Sequence, residues 1–188
     1  HSFETLNNFN KSCSVDVFFA LSHGVHRGKL KSGKEDDRIV FLEKLQTITS
    51  DVKFDLYGIN NVQPIWADHY FKTISNAKMG LNLSRGEAIK YYSSDRITQI
   101  VGNGLVCLID EKTKYRDFFN NDEMVFYKNL NDLSEKIQKI SRDDKLRKTI
   151  AKKGKDKYMK YFNSTKVAEF IIDKGLDLKN KNKYFWHN

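Results

Sequence analysis

Short apolar runs alternate with amphipathic segments along most of the chain. The runs are rich in β-branched and aromatic residues, which is typical of buried strands. They lie at 15–21, 53–57, 79–83, 105–109 and 124–127. Between and after them, apolar residues recur at helical spacing. This spacing predicts helices at 39–48, 65–75, 97–101, 130–140, 146–162 and 164–171.

The alternation predicts an α/β fold. Continuous apolar strands between helices are typical of a parallel sheet that is covered on both faces. The right-handed crossover rule makes that sheet doubly wound and Rossmann-like. Ligands of such sheets bind at the carboxyl ends of the strands. The loops that leave those ends are 22–31, 58–64 and 84–96, and the first and third carry the residues best suited to bind a ligand.

The same pattern predicts the domain organisation. We expect a polar arm at 1–14, one Rossmann-like domain at 15–172 and a basic tail at 173–188. No apolar run reaches the roughly 20 residues of a membrane span. Because the chain begins with His1 and its first methionine is Met79, we expect a fragment of a longer product that has a further domain.

An excess of basic residues points to anionic partners. Lys and Arg number 33 and Asp and Glu number 24, which gives a net charge of +9. Nucleotide phosphates, nucleic acid and peripheral contact with an anionic membrane all fit that charge. The late aromatic residues Tyr158, Tyr161 and Phe162 have the spacing of a packing face, which argues against nucleic acid. Cys13 and Cys107 are too few and too far apart for a disulfide framework or a zinc site, which fits a cytoplasmic location.

The loop after the first strand is a candidate phosphate site. Gly24 lets the backbone approach an anion closely, while Arg27 and Lys29 add positive charge. The spacing is neither that of a Walker loop nor that of the G-x-G-x-x-G pattern. A solvated basic loop without a ligand explains the same residues equally well.

The loop before the helix at 97–101 holds a second group of candidates. They are Arg85, Glu87, Tyr92, Ser94 and Arg96. Arginines near a helix start favour a diphosphate, a carboxylate can accept hydrogen bonds from sugar hydroxyls, and a tyrosine can stack on a ring. The alternative is a capped helix with a surface ion pair between Arg96 and either Glu87 or Asp95.

Several spaced motifs resemble the carboxyl-terminal domain of GT-B glycosyltransferases, in the group-1 branch related to spore-maturation proteins. The most specific motif is SDRITQIVGNGLVCLID at 94–110, where a helix that starts with arginine precedes a glycine turn, an apolar strand and an acidic residue. The others are ISNAKMGLNLS at 74–84, EMVFY at 123–127, DL at 132–133 and L-R-x-x-I-A-x-x-G at 146–154. The resemblance extends over residues 15–172.

This resemblance implies a function. Such enzymes transfer a sugar from a nucleotide-diphosphate sugar to an acceptor. The carboxyl-terminal domain binds the donor, and an amino-terminal Rossmann-like domain binds the acceptor. They generally need no metal ion or other cofactor, because protein cations and helix dipoles neutralise the leaving diphosphate.

The resemblance also implies roles for individual residues. Arg96 matches the family's arginine before the helix, and Arg27 and Lys29 approximate the cations that bind the diphosphate. Gln99 stands where family members carry a glutamate that holds the ribose hydroxyls. No residue of this chain is assigned a catalytic role, because a general base would come from the absent domain.

We therefore expect the donor-binding half of a metal-independent glycosyltransferase. In this hypothesis Arg27, Lys29 and Arg96 stabilise the diphosphate, while Glu87 and Tyr92 face the sugar. Two alternatives stay open at this point. One is a non-catalytic Rossmann-like interaction module, and the other is a fucosyltransferase-like GT-B enzyme that uses a GDP-sugar.

Overall fold

The computed structural model describes residues 5–22, 36–178 and 184–186. Within these residues it contains one parallel sheet of five strands. The strands are β1 (Val15–Ala20), β2 (Phe54–Tyr57), β3 (Ala77–Asn82), β4 (Val106–Asp110) and β5 (Val125–Tyr127). The α-helices are α1 (Asp37–Ile48), α2 (Ala67–Ile74), α3 (Arg96–Gly102), α4 (Leu130–Arg142), α5 (Asp144–Tyr161) and α6 (Ser164–Gly175). Short 3₁₀ turns lie at Asn8–Asn10, Glu111–Thr113 and Tyr115–Asp117.

The strand order produces a topological switch point between β1 and β3. The order across the sheet is β2-β1-β3-β4-β5. The chain leaves β1 towards β2 on one side, and it then crosses back to form β3 on the other side. Loops that follow β1 and β3 therefore diverge and leave a crevice at the carboxyl edge of the sheet. This topology confirms the predicted α/β, doubly wound, Rossmann-like sheet.

Apolar side chains on each face of the sheet hold a separate layer of helices. On one face, Leu42 of α1 and Ile137 of α4 are fully buried against the strands. On the other face, Ile74 of α2 and Ile100 of α3 are fully buried. Cys107 of β4 is buried in the second layer, and burial raises the pKa of its thiol to about 12. Coverage on both faces explains why the strands are continuous apolar runs.

The described part of the predicted arm lies against the domain. Asn8 is fully buried, and its side-chain amide donates hydrogen bonds to the carbonyl oxygens of Ile74 and Ala77 at 2.8 and 3.0 Å. The buried guanidinium of Arg147 donates to the carbonyl oxygen of Asn8 at 2.8 Å and pairs with Asp144. These bonds attach the segment to both α2 and α5.

The longest described helix is α5, which has 18 residues and many lysines. Among the residues described, no helix combines the length and the apolar character that crossing a membrane requires.

Gly154 allows α5 to approach the turn before β5 closely. It lies in the interior of α5, where glycine costs roughly 1 kcal/mol relative to alanine. A Cβ at this position would overlap the backbone carbonyl oxygen of Glu123. The final glycine of the L-R-x-x-I-A-x-x-G motif is therefore explained by a backbone contact.

We expect Gly154→Ala to destabilise the protein by about 1–3 kcal/mol, because the helix must move away from the sheet to make room. Urea unfolding followed by circular dichroism measures this change. Gly175→Ala is the matched control, since no atom lies within 4 Å of the added Cβ at the end of α6. A Gly154→Ala variant as stable as the wild type would show that this contact is not tight.

Candidate functional site

A cavity of about 410 Å³ opens at the carboxyl edge of the sheet, at the switch point between β1 and β3. Its walls are the residues that follow β1 and the first turns of α2 and α3. The lining residues are 20–22, 65–68, Tyr70, Phe71, Asp95, Arg96 and Gln99. Doubly wound sheets bind their ligands in this position, and the volume falls within the range of roughly 300–1,000 Å³ for small-molecule sites.

Arg96, the first residue of α3, extends its guanidinium across this edge. Its Nη1 donates to the carbonyl oxygen of Leu83 at 3.1 Å and to the hydroxyl oxygen of Ser94 at 3.0 Å. Its Cζ lies 5.0 Å from the centre of the Phe19 ring. Since Leu83 follows β3 and Phe19 belongs to β1, the guanidinium spans the ends of the two strands that flank the switch point.

The groups that contact the Arg96 guanidinium are neutral. Within the described residues no carboxylate pairs with it, so the ion pair with Glu87 or Asp95 that the sequence left open is absent. Burial lowers the pKa of the guanidinium below its ordinary value, and the positive charge of Arg38 lowers it further. Because arginine nevertheless stays protonated in proteins, the cavity holds a partly desolvated positive charge.

Two other arginines lie near this edge, and both are held by a buried carboxylate. Asp36 accepts two side-chain hydrogen bonds from Arg38 at 2.8 and 2.6 Å. The Nε atom of Arg85 lies 3.6 Å from the same carboxylate. The carboxylate of Asp37 accepts a hydrogen bond from the Gly86 amide at 2.8 Å. The loop after β3 is thus fastened to the start of α1.

The start of α3 is capped from within the chain. Ser94 accepts a hydrogen bond from the Arg96 amide through its hydroxyl oxygen at 3.4 Å, and one from the Ile97 amide through its carbonyl oxygen at 3.2 Å. Asp95 precedes the helix, but its side chain makes no capping hydrogen bond. Because these amides already have acceptors, the Arg96 side chain is the better candidate to bind an anion.

Gln99 lies one turn further along α3 and lines the same cavity. Its Oε1 atom is buried and accepts no hydrogen bond from any residue that the structure describes. A buried amide oxygen without a donor is costly. A hydroxyl group of a bound ligand could satisfy it.

The predicted site residues fall into three groups. Two line the cavity: Arg96 and Gln99. Four lie in the loop that leads to α3: Arg85, Glu87, Tyr92 and Ser94. Three lie outside the described residues: Gly24, Arg27 and Lys29. That any of them binds a ligand stays a prediction.

The sequence analysis missed the wall that α2 contributes. Trp66, Asp68 and Tyr70 line the cavity. Ala67, between the first two, has a φ of 46°, and this left-handed conformation costs a residue other than glycine about 1 kcal/mol. The available signal was the loop after the second strand, which reaches the same edge of the sheet and carries Pro64 shortly before the tryptophan.

Across 5–22, 36–178 and 184–186, no group of three or more His, Cys, Asp or Glu side chains could hold a metal ion. Independence of metal stays a prediction for this chain.

The hydroxyl group of Tyr70 is the part of the α2 wall that is shielded from water. Burial raises the pKa of its hydroxyl group to about 12, although the nearby charge of Arg96 lowers it. The unfolded chain releases this proton near pH 10, so this tyrosine makes the folded state lose stability between pH 10 and about 12. The loss is at most about 1.4 kcal/mol per pH unit.

We expect the free energy of unfolding of Tyr70→Phe to decline less steeply than that of the wild type between pH 10 and 12, because the titrating hydroxyl is gone. Urea titrations at several pH values measure both slopes. At pH 7 the hydroxyl is protonated in both states, so the two proteins should then be nearly equal in stability. Parallel curves up to pH 12 would mean that the hydroxyl is not shielded.

Comparison with known proteins places the sequence in a family. A family described as glycosyl transferase-like matches residues 38–173. The match includes the α2 wall, Arg96 and Gln99, and it extends into α6. No curated protein sequence is similar enough to count as a match.

Several solved structures share the fold. The crystal structure of TarM has a TM-score of 0.60 and 16% identity over 91% of this chain and 36% of that one. A variant of S. aureus TarM, in complex with fondaparinux, alpha-GlcNAc-glycerol and UDP, has a TM-score of 0.58 and 14% identity over the same shares. Sucrose-phosphate synthase from Thermosynechococcus elongatus has a TM-score of 0.56 and 17% identity over 80% of this chain and 37% of that one. The chain therefore spans little more than a third of these proteins.

Proposed function

The chain belongs to the glycosyl transferase-like family and has the fold of a GT-B glycosyltransferase domain, and from that premise we propose that it binds the sugar donor. The donor is a nucleotide-diphosphate sugar, and its diphosphate lies in the cavity at the switch point. The acceptor is held by an amino-terminal half outside this chain, as the chain's 36% share of TarM supports. The UDP in one TarM structure supports a nucleoside diphosphate as the ligand class.

The observation that carries this proposal is the environment of Arg96. Its guanidinium is partly desolvated and, among the residues that the structure describes, contacts only neutral groups, at the edge where doubly wound sheets bind ligands. A guanidinium forms strong, charge-assisted hydrogen bonds with phosphate oxygens. A diphosphate in the cavity would supply the anion that the described residues do not.

Arg96 also explains how this half of the enzyme assists the reaction. Negative charge on the diphosphate grows as its bond to the sugar breaks. A cation that is already in place stabilises that charge more strongly in the transition state than in the ground state. Arg27 and Lys29 add to this effect, and Gln99 accepts a hydrogen bond from a ribose hydroxyl through its unpartnered Oε1.

The remaining roles belong to the same proposal. Glu87 and Tyr92 lie in the loop before α3 and face the sugar. Protein cations take the place of a metal ion, and a general base comes from the other half. The net charge of +9 allows peripheral contact with an anionic membrane that carries the acceptor, in a cytoplasmic setting.

We expect Arg96→Ala to weaken the binding of UDP, GDP and ADP by about tenfold to a hundredfold, because one charge-assisted contact with the diphosphate is lost. Isothermal titration calorimetry of the wild type and the variant measures the dissociation constants. Inorganic pyrophosphate should lose affinity to the same extent, since the contact does not involve the nucleoside.

Arg142→Ala is the matched control. Arg142 ends α4 at the opposite edge of the sheet, and its side chain is 63% exposed. The Arg142→Ala substitution removes the same charge from the protein as Arg96→Ala does. Comparison of the two variants therefore separates the loss of a local contact from a general electrostatic effect. Donor binding at this site would be contradicted if the two variants lost nucleotide affinity equally. It would also be contradicted if a folded wild type gave no heat of binding with any nucleotide. The second result would favour the interaction module.

A further inference from the structure

An exposed indole ring and an exposed carboxylate both line the α2 wall of the cavity. Trp66 and Asp68 both line it, separated only by the left-handed Ala67. Trp66 is 60% exposed, and its ring packs on no aromatic ring of the described residues. A large aromatic side chain on a cavity wall offers its face to a planar group of a ligand.

Asp68 is exposed at the same wall, and its carboxylate has no hydrogen bond or ion pair with any described residue. An acidic residue in the first turn of a helix interacts favourably with the helix dipole. That interaction explains the residue type at this position. It does not explain why the carboxylate stands free beside an exposed tryptophan on a cavity wall.

A carboxylate only accepts hydrogen bonds, and this restricts the base that fits beside it. Guanine presents two adjacent donors, the ring N1–H and the exocyclic amino group, which match the two oxygens of one carboxylate. Uracil presents a single N–H between two carbonyl oxygens, and adenine presents an amino group next to an acceptor nitrogen. Both of these would turn an acceptor towards the carboxylate, which is repulsive.

We propose that Trp66 stacks on the nucleobase of the donor and that Asp68 selects guanine, so that the donor is a GDP-sugar. The inference rests on the proposed function, in which the cavity binds a nucleoside diphosphate. Arg96 contacts the diphosphate, which is common to all such donors, so a preference among bases must come from other residues. Trp66 and Asp68 are the residues of the α2 wall that present a ring face and a free acceptor.

Calorimetric titration of the 188-residue chain with GDP, UDP, ADP and inorganic pyrophosphate tests the inference. We expect GDP to bind about tenfold more tightly than UDP or ADP, or better, which is the usual discrimination from one bidentate pair. Asp68→Asn should remove this preference, because it weakens the binding of GDP and relieves the repulsion that UDP and ADP meet at the carboxylate. Trp66→Ala should lower the affinity for all three nucleotides by about tenfold and leave the affinity for pyrophosphate unchanged. Trp66→Phe should keep most of the wild-type affinity, because it retains an aromatic ring.

Asp51→Asn is the control for the charge of the carboxylate. Asp51 lies in the connection between α1 and β2, at the opposite edge of the sheet, and its side chain is 81% exposed. This change should not alter the preference for GDP. Thermal melts of every variant show whether it is folded.

The outcomes separate this inference from the proposed function. If UDP binds as tightly as GDP and both depend on Arg96, the proposed function stands and the selection of guanine is overturned. The selection of guanine is also overturned if Asp68→Asn lowers the affinities for GDP and UDP equally, or if it changes only the melting temperature. If neither pyrophosphate nor any nucleotide binds to the folded wild type, the proposed function fails and the inference fails with it.

Discussion

Arg96 keeps a positive charge at the carboxyl edge of the sheet, and no carboxylate in the described part of the chain pairs with it. A carbonyl group, a hydroxyl group and the Phe19 ring replace part of its hydration shell. Arg38 and Arg85, a short distance away, are instead held by the buried Asp36. Of these three arginines, Arg96 is therefore the one that an anionic ligand would neutralise. Its charge makes the cavity suited to an anion.

The fold creates this situation through its strand order. Because β1 and β3 are neighbours and their following loops diverge, a crevice forms between them, and the first turns of α2 and α3 close its sides. The loop after β3 is fastened to α1 through Asp37 and Gly86. The Arg96 guanidinium itself is held by the Leu83 carbonyl and the Ser94 hydroxyl before any ligand arrives, which is the condition for effective electrostatic stabilisation.

The sheet could be predicted from the sequence because strands that are buried on both faces are continuous apolar runs, as at 105–109. Arg96 could be selected because it starts a helix that follows a polar loop at the carboxyl edge. Gln99 could be selected only through the resemblance to GT-B domains, since it stands where that family carries a glutamate. The loop after β2 indicated a wall at this edge, but the placement of Trp66 and Asp68 could not be predicted, since nothing local shows that Ala67 is left-handed. The sequence could not show whether Arg96 forms an ion pair either. Asp95 is adjacent to Arg96 in sequence, but the two side chains do not pair in the fold.

The stretch that matches the glycosyl transferase-like family includes Arg96 and the first turns of α2 and α3 that line the cavity. A crystal structure of the chain with a bound nucleoside diphosphate tests most directly whether the ligand binds in this cavity. We expect phosphate oxygens within hydrogen-bonding distance of the Arg96 guanidinium and a ribose hydroxyl beside Gln99. A nucleotide bound elsewhere, with Arg96 still surrounded by neutral groups, would contradict the assignment.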